Sequence, residues 1–164
     1  MTKLIFYISL LLITVNPSLS EIRELYTKSS DSEEVAKELY EKLENIKKTD
    51  DATLVGYKAA SLTVKAKHEN KIKDKKAFFK EGATLLEYII TEKPNNIELR
   101  LIRLSIQENS PKILKYKSKI EEDKTFIYNQ LPLLKNKGLK EHIKGYVSKS
   151  NAFTTEEKTV ISKL

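Results

Sequence analysis

The sequence predicts an all-α protein of stacked antiparallel helical hairpins, either a repeat solenoid or a helical bundle. Three observations predict it. Glycine and proline number only four each in 164 residues, no long polar–apolar alternation marks a strand, and apolar residues recur at steps of three and four. Connections of a few residues between the helices favour antiparallel neighbours.

The chain opens with what reads as a secretory signal over residues 1–20. Lys3 gives a charged start, Leu4 to Val15 form a short apolar run, and Ser18-Leu19-Ser20 supplies a small-x-small cleavage site, so the mature chain is expected to begin at Glu21. The run is too short to span a bilayer, which takes about 20 residues as a helix, so no transmembrane anchor is expected after cleavage. Residues 21–164 are expected to form a single exported domain, periplasmic or secreted. There is no cysteine, which excludes disulfides, thiol catalysis and cysteine-ligated zinc.

A short first helix should use Ile22, Leu25 and Tyr26. Ser30 with Glu33 fits a capping box for a second helix that buries Val35, Leu39, Leu43 and Ile46. Thr49-Asp50-Asp51 ends it and caps a third, with Val55, Ala59, Leu62 and Ala66 inward. Lys67 to Lys76 reads as the turn into a fourth helix, whose inner face is Phe78, Gly82, Leu85, Leu86 and Ile89 and which Pro94 ends. Asn95 or Asn96 caps a fifth helix that is apolar round most of its circumference, a central element by that pattern. Ser110-Pro111 predicts the cap and first residue of a sixth helix running to about Gln130. Its apolar stripe would be Ile113, Tyr116, Ile120 and Ile127. Pro132 interrupts, Gly138 precedes a seventh helix using Leu139, Ile143 and Tyr146, and Thr154 with Glu157 makes a capping box for the last. Ile97, Leu101, Leu104, Leu86, Ile89 and Ile120 are expected in one central core.

Leu43-Glu44-x-Ile46 followed by Asp50-Asp51 parallels Leu86-Glu87-x-Ile89 followed by Asn95-Asn96, the spacing of two-helix repeats. The Pro94-Asn95-Asn96-x-Glu98 segment, with Gly82 and Leu86 upstream, is similar to a tetratricopeptide-repeat junction. Over most of the mature chain, Gly56-Tyr57-Lys58, Lys67-His68, Phe79 with Gly82, Glu98-x-Arg100-x-x-Arg103-x-x-x-Gln107, Pro111, Tyr116 and Asp123-Lys124 resemble a pattern in small, secreted, helical bacterial proteins of unknown function. That pattern carries glycine where Lys115 stands. The resemblance implies export and an all-helical fold and names no activity.

Charge is uneven along the chain. Residues 21–51 carry a net −4 and residues 52–164 a net +10, yet only Arg23, Arg100 and Arg103 of the thirty basic residues are arginine. Arginine is the side chain suited to forked phosphate and base recognition, and the densest basic run, Lys65 to Lys80, lacks interleaved stacking aromatics. No specific nucleic acid is therefore expected as a partner; the run reads as a solvated face that could meet an anionic envelope surface. His68 and His142 are the only histidines and show no metal-ligand spacing, so no metal or other cofactor is expected. With no Gly-x-Ser-x-Gly elbow or phosphate loop, no catalytic residue is nominated.

Arg100, Arg103 and Gln107 lie on one stripe of the most apolar helix, and Asp123 falls on the inward stripe of the next. Either they form an internal ion pair, with Asp123 between the helices, or they line a pocket for an anionic ligand or a partner's carboxylate. The favoured function is an exported binding or scaffolding module for an unidentified protein or anionic envelope component. The alternatives are a small envelope enzyme with a pocket near Arg100, His68 and Tyr57, and an electrostatic binder of envelope polyanions. Gly56 and Gly82, inside helices, suggest close approach of neighbouring backbones.

Overall fold

Local signals set where most helices start. In the structure, a computed structural model describing residues 17–164, eight α-helices follow one another: α1 (Leu19–Ser29), α2 (Glu33–Leu43), α3 (Ala52–His68), α4 (Ile72–Glu92), α5 (Ile97–Asn109), α6 (Ile120–Gln130), α7 (Lys137–Lys149) and α8 (Thr155–Ser162). No strand occurs among the described residues. Asp51 caps α3 and Asn96 caps α5, each accepting two backbone amides, and Thr154 with Glu157 closes a capping box on α8. The apolar run of the expected leader falls on residues 1–16, outside the described residues. The expected cut after Ser20 lies within α1, beyond its cap Ser18.

Four local expectations need correction. Ser32 rather than Ser30 caps α2, accepting the Val35 amide, while the Ser30 hydroxyl accepts the Lys67 ammonium. The lysine-rich stretch is not a long turn, because α4 already begins at Ile72. Phe78 is half-buried and, with Tyr40, sandwiches the Lys65 ammonium at 4.4 and 3.9 Å; Phe79 is the ring packed on the core, edge-on to Tyr116. Finally, Ser110-Pro111 does not start a long sixth helix. The Ser110 hydroxyl bonds back to Ile106 O at 2.5 Å and so closes α5, a single 3₁₀ turn follows at Lys112–Leu114, and Lys115 enters the left-handed region at φ 51°. Helix α6 begins only at Ile120, and Ile113 is 86% exposed instead of lying on its stripe.

Lys115 is the one non-glycine residue with positive φ among the described residues. It stands where the resembling pattern has glycine, and the tight turn forms regardless, at a cost of roughly 1–2 kcal/mol for a residue with a Cβ. Lys115→Gly is expected to raise stability by about 0.5–1 kcal/mol, since glycine's greater unfolded-state entropy offsets part of the relief. Urea unfolding measures it; a variant no more stable than the parent would mean that the strain is relieved elsewhere.

Packing makes α3 and α5 the central helices. Helix α3 touches α1, α2, α4 and α5, and α5 also carries α6 and α7. Gly82 lets α4 close on α3, because a methyl there would sit 2.5 Å from Ala59 O, and Gly56 makes room for Leu99 of α5. The apolar side chains divide into two cores where one was expected. Leu86 and Ile89 join Leu39, Tyr57, Leu99 and Ile102 in the first; Ile97, Leu101 and Leu104 join Ile127, Leu131 and Ile143 in the second, with Ile120 at its edge. The division follows from α5 presenting different residues on its two sides, Leu99, Ile102 and Ile106 on one and Ile97, Leu101 and Leu104 on the other.

Candidate binding cleft and the ion-pair seam

Two polar stripes of α5 separate its two apolar faces. One stripe is Arg100, Arg103 and Gln107. Arg103 makes two parallel bonds to Asp123, Nε to Oδ2 and Nη2 to Oδ1, both 2.7 Å, and its Nη1 donates to Glu87 at 2.7 Å. Arg100 donates to Glu122 at 2.7 Å and to Asp123 at 3.2 Å, with its guanidinium 5.1 Å from the centre of the Phe126 ring. Gln107 donates to Asp123 at 3.1 Å and accepts the Lys119 amide at 2.8 Å, which fixes the start of α6. Asp123 is fully buried and Arg103 nearly so. Burial alone would pull the Arg103 guanidinium down, but Asp123 and then Glu87 more than offset this and hold it above its usual range. Bonds from Lys119 and Arg100 lower the Glu122 carboxyl to about 2. The stabilisation Glu122 contributes is thus present above the ordinary carboxylate range and lost as pH falls towards 2; half-exposed as it is, that contribution is small.

The opposite stripe bears Glu98 and Ser105. Glu98 is 2% exposed and takes both ends of Arg23, Nε at 2.7 Å and Nη2 at 2.8 Å, plus the Tyr57 hydroxyl at 2.8 Å. Since that hydroxyl proton goes to Glu98, His142 Nε2, 3.5 Å from the Tyr57 oxygen, can only be the donor to it. Tyr26 stacks edge-on to Tyr57 and donates to Ser105 at 3.1 Å. Burial, then the Glu98 charge, push the Tyr57 phenol well up; burial pushes Tyr26 up to about 12 and the His142 imidazole down. At neutral pH the phenols and the imidazole are therefore uncharged.

Here the seam between the cores stands open. A cleft of about 1330 Å³ runs along α5 and round its C-terminal end, between α1, the distal parts of α3 and α4, the 111–119 link and α7. Tyr26, Tyr57, Leu101, Ile102 and Ser105 lie at its base, and His142, Gly145 and Tyr146 on its α7 wall. Glu108 anchors that wall: Tyr146 and Ser150 donate to it from their hydroxyls, and Asn151 and Ala152 from their amides at 2.9 and 3.0 Å. Every buried side-chain polar atom among the described residues has a partner.

The expected site residues thus part into three places. Arg100, Arg103, Gln107 and Asp123 come together as the sealed side of the seam. Tyr57 lies in the cleft, whereas His68 is at the far end of α3, eleven residues or roughly 16 Å away, with its Nε2 3.1 Å from Ser29 O. The pocket imagined near Arg100, His68 and Tyr57 is not formed, because Glu98 and Arg100, two residues apart, point to opposite sides of α5. Among the described residues no three potential ligands converge on a metal position, and no helix is long and apolar enough to cross a membrane.

Arg23, Glu98, Glu108 and His142 were missed as site residues. Arginine scarcity marks Arg23 as strongly as Arg100 and Arg103, and a glutamate on the most apolar helix needs a cation to pair with. Nothing local marked Glu108. Fold and site together define an all-helical, two-core protein with a cleft along its shared helix. No family model, curated protein or solved structure matches the chain.

Proposed function

We propose that the protein is an exported binding module that holds its partner in the cleft along α5. The observation that carries this is the cleft with Gly145 in its wall. Glycine inside a helix costs about 1 kcal/mol relative to alanine, and unlike Gly56 or Gly82, a Cβ on Gly145 would meet nothing within 4 Å. No packing requires the glycine, and its smallness keeps the wall low. The cleft exceeds the 300–1,000 Å³ usual for small-molecule sites, which favours an extended partner. Its polar floor is already internally paired, which suits holding a ligand better than transforming one. Export rests on the leader pattern and on the resemblance to small secreted helical proteins. The faint repeat supports a scaffold of stacked hairpins, since Leu43, Ile46, Leu86 and Ile89 all lie in the first core.

Gly145→Trp places an indole in open space within the cleft. It is expected to keep the parent's melting temperature or raise it slightly, and to abolish photo-crosslinking of the native partner through a benzophenone at Asn109; Thr125→Trp, on an exposed position of α6, leaves that crosslink intact. Equal crosslinking by both variants would exclude the cleft as the binding site. N-terminal sequencing of protein recovered outside the cytoplasm is expected to begin at Glu21, and a chain retaining Met1 would remove export.

A further inference from the structure

The charges on the lip of the cleft that lack an ionic partner are mostly positive. Lys67, Lys75, Lys76, Lys117 and Lys149 line it, and none is within salt-bridge reach of a carboxylate among the described residues. The carboxylates on the same lining are mostly spoken for: Glu121 pairs with Lys124 at 3.1 Å, Glu141 with Lys144 at 3.2 Å, and Glu108 is held by the α7–α8 turn, leaving Asp31. Among these lysines the lining includes the apolar side chains of Phe79, Ile106 and Leu114, and two aliphatic side chains stand in water at its edge, Ile72 at 70% and Ile113 at 86% exposed.

We infer that the cleft takes an acidic, amphipathic polypeptide segment, its carboxylates on the lysine lip and its apolar side chains against Ile72, Phe79, Ile106 and Ile113; this rests on the cleft being the binding site. An amphipathic helix laid in a groove uses apolar anchors at i, i+3, i+4 and i+7 and leaves its charges at the rim, where complementary charge orients and accelerates docking. A free polyanion satisfies the lysines and leaves the isoleucines in water. A flat anionic membrane cannot reach Leu101, Ile102 and Ile106 at the base.

The test uses the mature chain, residues 21–164, and fluorescence anisotropy at 0.15 M salt with four kinds of probe. They are a synthetic helical peptide with leucine on one face and glutamate on the other, the same peptide with lysine for glutamate, the same with glutamine for leucine, and two polyanions, dextran sulfate and phosphatidylglycerol vesicles. The acidic amphipathic peptide is expected to bind at least about tenfold tighter than either altered peptide, and to lose about tenfold or more in Lys75→Glu/Lys76→Glu, in Ile113→Asp and in Gly145→Trp. All the substituted positions except Lys75, which is half-buried, are exposed, and unchanged circular dichroism and melting verify the fold. Tighter binding of the lysine peptide, equal binding of the glutamine peptide, a polyanion that binds as well as the peptide, or no peptide binding at all each overturns the acidic-segment inference. Should any of those arise while Gly145→Trp still abolishes native crosslinking, the cleft remains the site and only its occupant is wrong. Peptide binding untouched by Gly145→Trp overturns both.

Discussion

Asp123→Ala is expected to cost about 3–5 kcal/mol, a fall in melting temperature of roughly 10–15 °C for a domain of this size. The fully buried carboxylate takes two bonds from Arg103 and one each from Arg100 and Gln107. Without it, Arg103, 3% exposed, keeps only Glu87 and Glu122, which are 43% and 46% exposed and screened by water. A guanidinium would be left largely desolvated without its principal counter-charge. Arg100→Ala is expected to cost about 1 kcal/mol or less, because its main partner Glu122 is half in solvent. The double substitution Asp123→Leu/Arg103→Met should recover part of the loss, since a packed apolar replacement avoids desolvating either ion, while the buried Gln107 amide still loses its acceptor. Thermal melts of the three variants measure this. An Asp123→Ala protein melting within 2 °C of the parent, on the order of 1 kcal/mol or less, would show that the network does not tie α5 to α6.

Leu104→Ala is expected to cost about 2–5 kcal/mol. Leu104 is fully buried in the second core among Ile127, Leu131 and Ile143, and the space it leaves is bordered by α5 and α6, which the Asp123 network holds together. Collapse into the cavity is therefore limited, which places the cost towards the upper part of the range. Leu133→Ala, at a side chain 71% exposed, should change stability by about 0.5 kcal/mol or less. Because α5 belongs to both cores, the loss should appear as one cooperative transition at a lower denaturant midpoint. Two separate transitions would mean that the halves unfold independently.

The ion-pair seam and the proposed binding cleft lie on opposite sides of one helix. On the Arg103 side the seam between the cores is sealed by ionic bonds in which each donor has an acceptor; on the Glu98 side the charges are also paired, but the walls stand apart. Substitutions on the first side should move melting curves, and those at Gly145 or on the lysine lip should move binding.

The all-α class was legible in the sequence, and so were the starts of α3, α5 and α8, because Asp51, Asn96 and the Thr154–Glu157 pair act on amides within three residues of themselves. The Asp123–arginine contact was legible too, from arginine's scarcity in a lysine-rich chain and from the carboxylate's register with Ile120 and Ile127. Ser110-Pro111 was misread because the same two residues can open one helix or close another. The Ser110 hydroxyl turning back to Ile106 is itself a local contact, but the choice also lay with Gln107 holding Lys119, which exists only once the link is folded over the end of α5.

What the sequence by itself determined was local: periodicity, caps, and which rare charges must find partners, all set by interactions a few residues long. Tertiary structure alone decided that the apolar residues of α5 serve two cores, that Glu98 reaches Arg23 and Tyr57 while Arg100 faces away, and that the seam seals on one side and opens on the other. Those outcomes depend on the angles at which α3, α6 and α7 meet α5. Such angles are fixed by side chains packing between residues far apart in the chain, with Gly56 setting how closely α3 approaches α5 and Gly82 how closely α4 approaches α3.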